Sequence, residues 1–123
     1  MDENKVRRPS IIKYFLGEIE MKTKTLSLPR LNQLNPTLES TALKLMEEAG
    51  ELAQAIGKFR GLSGEKVQMD EGAVVQEIAC ELLDVAQTAV TMMFVMEEQF
   101  QIDIGTLLQE HYHKLEKKGY LAP

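Results

Sequence analysis

A single cysteine, Cys80, leaves this 123-residue chain without an internal disulfide or a thiolate zinc cage. Positive charge is also scarce. Fourteen Lys and Arg face nineteen Asp and Glu, a formal net charge of −5, so the chain lacks the field that supplies most nucleic-acid affinity. Nucleic acid is not an expected partner. No apolar run of about 7–15 residues follows the basic N-terminal residues, as a secretory leader would require, and the expected location is the cytoplasm. The four prolines, at positions 9, 29, 36 and 123, stay out of the apolar periodic stretches, which are free to be continuous helices.

What remains is 44% hydrophobic and 27% charged, the profile of a soluble domain with one core. The longest apolar stretch, residues 78–96, carries Glu81 and Asp84. Each carboxylate would cost roughly 2.5–3.5 kcal/mol near a bilayer centre. This segment is expected to be a buried helix of a soluble protein, with no membrane partner.

Charge is unevenly distributed. Residues 1–36 carry seven basic and four acidic side chains, residues 37–84 four and ten, and residues 85–123 three and five. Three helices are expected. The first spans residues 36–60, with Asn35 as N-cap, Pro36 in the first turn and Gly61 as its stop. Leu38, Ala42, Leu45, Ala49, Leu52, Ile56 and Phe59 recur at alternating spacings of four and three, a seam for another helix. The second runs from a cap at Asp70 to Phe100, and the third from Asp103 to Lys118, stopped by Gly119. Ile11, Ile12, Phe15, Leu16 and Ile19 suggest a short helix over residues 10–21. The expected organisation is an N-terminal arm over 1–35 and a helical domain over 36–120.

Helices of about 25 and 31 residues would be roughly 37 and 46 Å long, whereas a compact chain of this size has a gyration radius near 14 Å. They would overhang a monomer. The second helix is apolar almost all round and must be covered on every side. The expected fold is therefore all-α, an antiparallel helical bundle completed by homo-oligomerisation, as a homodimer or homotetramer.

With Val74 set at zero on a helical wheel, Glu77, Glu81, Asp84 and Thr88 fall at about 300, 340, 280 and 320°. They form one polar stripe flanked by Val74, Val85 and Ile78 on one side and by Cys80 and Thr91 on the other, so the carboxylates face packed interior. On the first helix, Glu48 and Glu51 border the apolar seam. Antiparallel packing would bring Glu48, Glu51, Glu81 and Asp84 to one place. Two like charges about 5 Å apart repel by roughly 3 kcal/mol at an effective dielectric of 20, and the six pairs among four such groups would approach an upper bound of about 20 kcal/mol, above the 5–15 kcal/mol stability of a typical domain. A divalent cation removes the conflict. All-oxygen ligands without histidine or thiolate favour Mg2+, with Mn2+ as the alternative, and magnesium held by carboxylates commonly serves phosphoryl or nucleotidyl chemistry.

Each part also has a plainer reading. Glu47, Glu48 and Glu51 could be a solvated helix face. Lys44 could pair with Glu48 at i,i+4, with Lys58 and Arg60 in similar roles, and Lys114, Lys117 and Lys118 could complement the dipole of the last helix. Cys80 reads as a small core residue, His111 as packed and His113 as surface.

The two acidic motifs, Glu47-Glu48-Ala49-Gly50-Glu51 and, after 29 residues, Glu81-Leu82-Leu83-Asp84, are similar to the signature of the MazG-like all-α nucleoside triphosphate pyrophosphohydrolases. The resemblance covers about residues 36–120. It implies hydrolysis of a nucleoside triphosphate to the monophosphate and pyrophosphate, with magnesium held by Glu48, Glu51, Glu81 and Asp84. It further implies a supporting or water-orienting role for Glu47, catalytic work shared by Glu47 and Glu48, and triphosphate contacts from Lys114 and Lys117 or Lys118, with Lys44 nearby. Glu77 lies outside the signature. Two other readings compete: a non-enzymatic helical dimerisation module whose acidic stripe binds a basic partner, and a di-iron bundle suggested by Glu110-His111-Tyr112-His113. The di-iron site normally needs two such Glu-x-x-His pairs plus two more glutamates, and this chain has one.

Overall fold

A computed structural model describes residues 21–61 and 70–122. The expected helix over residues 10–21 lies outside them, apart from Met21, which is irregular. Among the described residues there are three helices and no strand: α1 Leu38–Phe59, α2 Glu71–Phe100 and α3 Ile104–Lys117. The all-α expectation holds.

The helix ends differ from expectation for local reasons. α1 starts two residues later than the sequence suggests, capped by Thr37 and not Asn35. Ser40 N–H donates to Thr37 Oγ1 at 3.0 Å and Thr37 N–H donates to Ser40 Oγ at 2.8 Å. This reciprocal box satisfies two orphan donors where Asn35 could satisfy one. Pro36 is left outside the helix, its carbonyl accepting from Gln99 Nε2 at 3.1 Å. Arg60 and not a further helical turn closes α1, and Gly61 follows at φ +70°. Asp70 precedes α2 without a side-chain cap, whereas Asp103 caps α3 by accepting from the Thr106 N–H at 3.3 Å. α3 ends in a Schellman turn: Gly119 takes φ +82° and the Tyr120 N–H reaches the Leu115 carbonyl at 2.9 Å.

The chain divides into two compact units, Ser27–Ile102 and a second that includes Asp103–Pro123. In the first, α1 and α2 pack antiparallel. Gln99, near the end of α2, bonds Pro36 just before α1, while Lys58 at the end of α1 pairs with Glu77 near the start of α2 at 3.7 Å. The buried residues of α1 are Thr41, Glu48 and Ala55, and those of α2 are Val74, Thr88, Thr91 and Val95. Thr41, Glu48 and Ala55 recur every seven residues, as do Val74, Glu81, Thr88 and Val95. Relative to Leu38, the buried stripe of α1 lies at about 260–300°, rotated from the apolar seam near zero. Glu48 therefore sits at the centre of the packing face and not at its border.

The same rotation turns Ala49 and Ile56 of the seam outward. The expectation that α2 is buried is not met within one chain: Val75, Leu82, Leu83, Met93 and Phe100 are exposed, and 17% of its most apolar stretch is buried. α1 covers one side of α2 and leaves other faces bare. By length and composition alone, α2 is the one described helix that could cross a membrane. Cys80, expected in the core, is exposed. His111, expected to be packed, is exposed as well, since α3 buries none of its residues.

The tight centre of the α1–α2 seam predicts a cost for enlarging Ala55, which is 1% exposed. Ala55→Leu should destabilise the chain by about 1–3 kcal/mol in urea denaturation.

Candidate functional site

The acidic residues converge because heptad spacing on two antiparallel helices stacks them at one level. Glu48 and Glu51 are one turn apart on α1, and Glu81 faces them from α2. One carboxylate oxygen of each of Glu48, Glu51 and Glu81 lies within 4.8 Å of the others. Their exposure is graded: Glu48 is buried, Glu81 half-buried and Glu51 exposed. The expectation that the α2 carboxylates face packed interior needs correction at Asp84, which is exposed in the single chain, while Glu51, expected at the border of the packing face, is exposed as well.

Glu48 spends one oxygen on Lys44, whose Nζ lies 2.9 Å from Oε1. Its other oxygen, Oε2, is buried without a hydrogen-bond partner, as is Glu81 Oε2. Buried anionic oxygens of this kind are costly unless something positive meets them. The donor set therefore fits a hard divalent cation: oxygen only, three carboxylates, two lone oxygens unclaimed and one ligand open to solvent. The Glu51 carboxyl is held above the usual glutamate range, chiefly by the neighbouring charge of Glu48, then by partial desolvation and by Glu81 and Glu47. Lys44 is pushed up by its bond to Glu48 and by the charge of Glu47.

The other sequence candidates are placed as follows. Asp84 lies one turn beyond Glu81 on α2 and, with Glu48 and Lys44, lines a cleft of about 400 Å³ between α1 and α2. Glu47 is exposed, is not among the three clustered carboxylates, and contacts Lys44 at 3.6 Å. Glu77 is engaged by Lys58, and Arg60 lies 4.9 Å above the Phe59 ring. Lys114 and Lys117 occupy the last turn of α3 and Lys118 caps it, in the other unit. Sequence reasoning missed the contribution of the segment before α1: Leu31, Leu34, Asn35 and Pro36 line the cleft, opposite Gln87 and Thr91. Pro29 and Pro36 bracketing a short polar stretch was the only available signal.

A family model, the MazG nucleotide pyrophosphohydrolase domain, matches residues 36–119. No curated protein and no solved structure gives a significant match.

The raised Glu51 carboxyl sets a pH dependence. A folded-state pKa above the unfolded value favours the fold below the unfolded pKa, and that contribution is lost as pH rises through the folded pKa. Glu51→Gln should therefore raise the Tm of the metal-free protein at about pH 7 and leave it nearly unchanged at about pH 4. Divalent-cation affinity of the wild type, followed by calorimetry, should weaken toward acid as protons compete for the same oxygens.

Proposed function

The chain belongs to the MazG nucleotide pyrophosphohydrolase family, and from that premise we propose that it hydrolyses a nucleoside or deoxynucleoside triphosphate to the monophosphate and pyrophosphate. A water oxygen bonds to the α-phosphorus, the bond from that phosphorus to the α,β-bridging oxygen breaks, pyrophosphate departs with its electron pair, and the proton lost by the water passes to solvent. The observation that carries this reading is the pair of buried, unpartnered oxygens, Glu48 Oε2 and Glu81 Oε2, beside Glu51.

In this reading Glu48, Glu51 and Glu81, joined by Asp84 from the same face of α2, hold magnesium or manganese. The bound ion supplies charge neutralisation at phosphate oxygens and a more acidic water. The chain's own residues do the rest. Lys44 keeps Glu48 oriented and adds a positive charge at the mouth of the cleft. Glu47 contacts the same ammonium at 3.6 Å and is assigned the supporting role of orienting water. No serine, cysteine or histidine nucleophile is required.

The exposed apolar residues Leu43 and Met46 of α1 and Leu82 and Leu83 of α2 support a homodimer or homotetramer. The proposed partners are the nucleotide and other copies of the chain, without nucleic acid or membrane, in the cytoplasm. The same apolar faces favour one rival, a non-enzymatic dimerisation module, which gains if magnesium neither raises Tm nor supports turnover.

A panel of canonical and modified triphosphates with Mg2+ should yield pyrophosphate, and orthophosphate as the product would overturn the assignment. Glu51→Ala and Asp84→Ala should each abolish turnover while the helical circular-dichroism spectrum stays intact. Retained turnover in both variants would remove the basis of the proposal.

A further inference from the structure

Residues 27–35 precede the family-matched segment, yet they belong to the same compact unit as α1 and α2. They run as an irregular strap, with bends at positions 32 and 33, fastened to α2. Gln87 Nε2 donates to the Pro29 carbonyl at 3.0 Å, and Arg30 Nε meets both oxygens of Glu98 at 2.7 and 3.1 Å. Gln99 Nε2 holds the Pro36 carbonyl at the far end. The fasteners grip positions 29, 30 and 36, and Leu31, Leu34 and Asn35 between them form one wall of the cleft.

The chemistry of that cleft is that of a nucleoside subsite. Its volume of about 400 Å³ falls in the range of small-molecule clefts, and its lining includes Glu48, Asp84 and Lys44, so a ligand there is continuous with the acidic group. Leu31, Leu34 and Pro36 supply aliphatic surface, and 59% of Leu34 is exposed for so large an apolar residue. None of the residues lining the cleft is aromatic, so a base would be held by its edges and by aliphatic contact, without a stacking platform. On the α2 side, Gln87 commits its amide hydrogens to Pro29 and to Thr91 Oγ1 at 3.3 Å, leaving its oxygen as an acceptor. On the strap side, the Asn35 carboxamide makes no hydrogen bond to any described residue and offers a donor and an acceptor together.

We propose that the strap is the specificity element of this enzyme: it walls the nucleoside subsite, Asn35 reads the base edge, and the Arg30–Glu98 pair keeps that wall in place. This rests on the function proposed above. Arg30 is a positioning residue, since it acts through the strap and does not line the cleft.

Calorimetry with Mg2+ and two probes, a non-hydrolysable α,β-imido nucleoside triphosphate and inorganic triphosphate, separates nucleoside recognition from phosphate and metal binding. Arg30→Glu and Asn35→Leu should each weaken the analogue about tenfold while the affinity for inorganic triphosphate stays constant. Asn35→Leu should also flatten the differences among the four bases, and the exchanged pair R30E/E98R should recover the binding lost by R30E. Thermal melts of each variant check that the fold is retained. Variants that bind the analogue as the wild type does, equal losses for both probes, no recovery in the exchanged pair, or a wild type that binds the analogue no tighter than inorganic triphosphate would each overturn the strap proposal. A wild type that shows the expected contrast in binding but releases no pyrophosphate would instead overturn the hydrolase reading and leave the strap standing.

Discussion

Carboxylates occupy seam positions in this protein where a helical pair ordinarily places leucine or alanine. Glu48 lies between Thr41 and Ala55 on the buried stripe of α1, and Glu81 lies between Val74 and Thr88 on the matching stripe of α2. Two antiparallel helices with seven-residue periodicity can meet only along such stripes, so packing itself brings the like charges together. The conflict is partly relieved within the chain. Lys44 takes one oxygen of Glu48, Glu51 stays in solvent, and the pKa of Glu51 is displaced upward. Two buried oxygens are left over, and they are where chemistry can enter.

The rest of the first unit is arranged around that seam. Small or β-branched residues, Ala55, Val74, Thr88 and Val95, bring the helices close on either side of the acids. The ends are tied by polar contacts, Lys58 with Glu77 at one end and Gln99 with Pro36 at the other. The strap over residues 27–36 closes the side of the pair next to the acidic group and converts an interhelical groove into a cleft. The acidic seam and the cleft thus share Glu48, and Asp84, one turn beyond Glu81, lines the cleft as well.

Burying polar residues at the seam leaves much apolar surface outside it. The apolar positions of α1 divide between the flanks of the seam and the outer face, and α2 keeps Leu82 and Leu83 exposed directly beside Glu81 and Asp84. An isolated chain that buries Glu48 and half-buries Glu81 while leaving Leu43, Leu82 and Leu83 outside is an inverted solution to folding. It is physically economical only when the outer face has its own neighbour, and this is why the proposed oligomer and the proposed metal site are two consequences of one packing choice.

The sequence by itself determined the helices and the identity of the acids. Periodicity, the avoidance of proline and the glycines at 61 and 119 were enough to locate all three described helices to within about two residues, and the acidic motifs singled out Glu48, Glu51 and Glu81, which the structure clusters, together with Asp84, which lies outside that cluster. These features are local: they depend on turn geometry and on residues within a few positions of one another. Only the tertiary structure decided which face of α1 is inside, that Glu48 and Glu81 are shielded while Glu51 and Asp84 are not, and that a segment before α1 walls the cleft. Those outcomes depend on contacts between residues about 60 positions apart, such as Gln87 with Pro29 and Arg30 with Glu98, and on a rotation of α1 that hydrophobicity alone does not specify, because one helical wheel offers two adjacent faces and the partner helix selects between them.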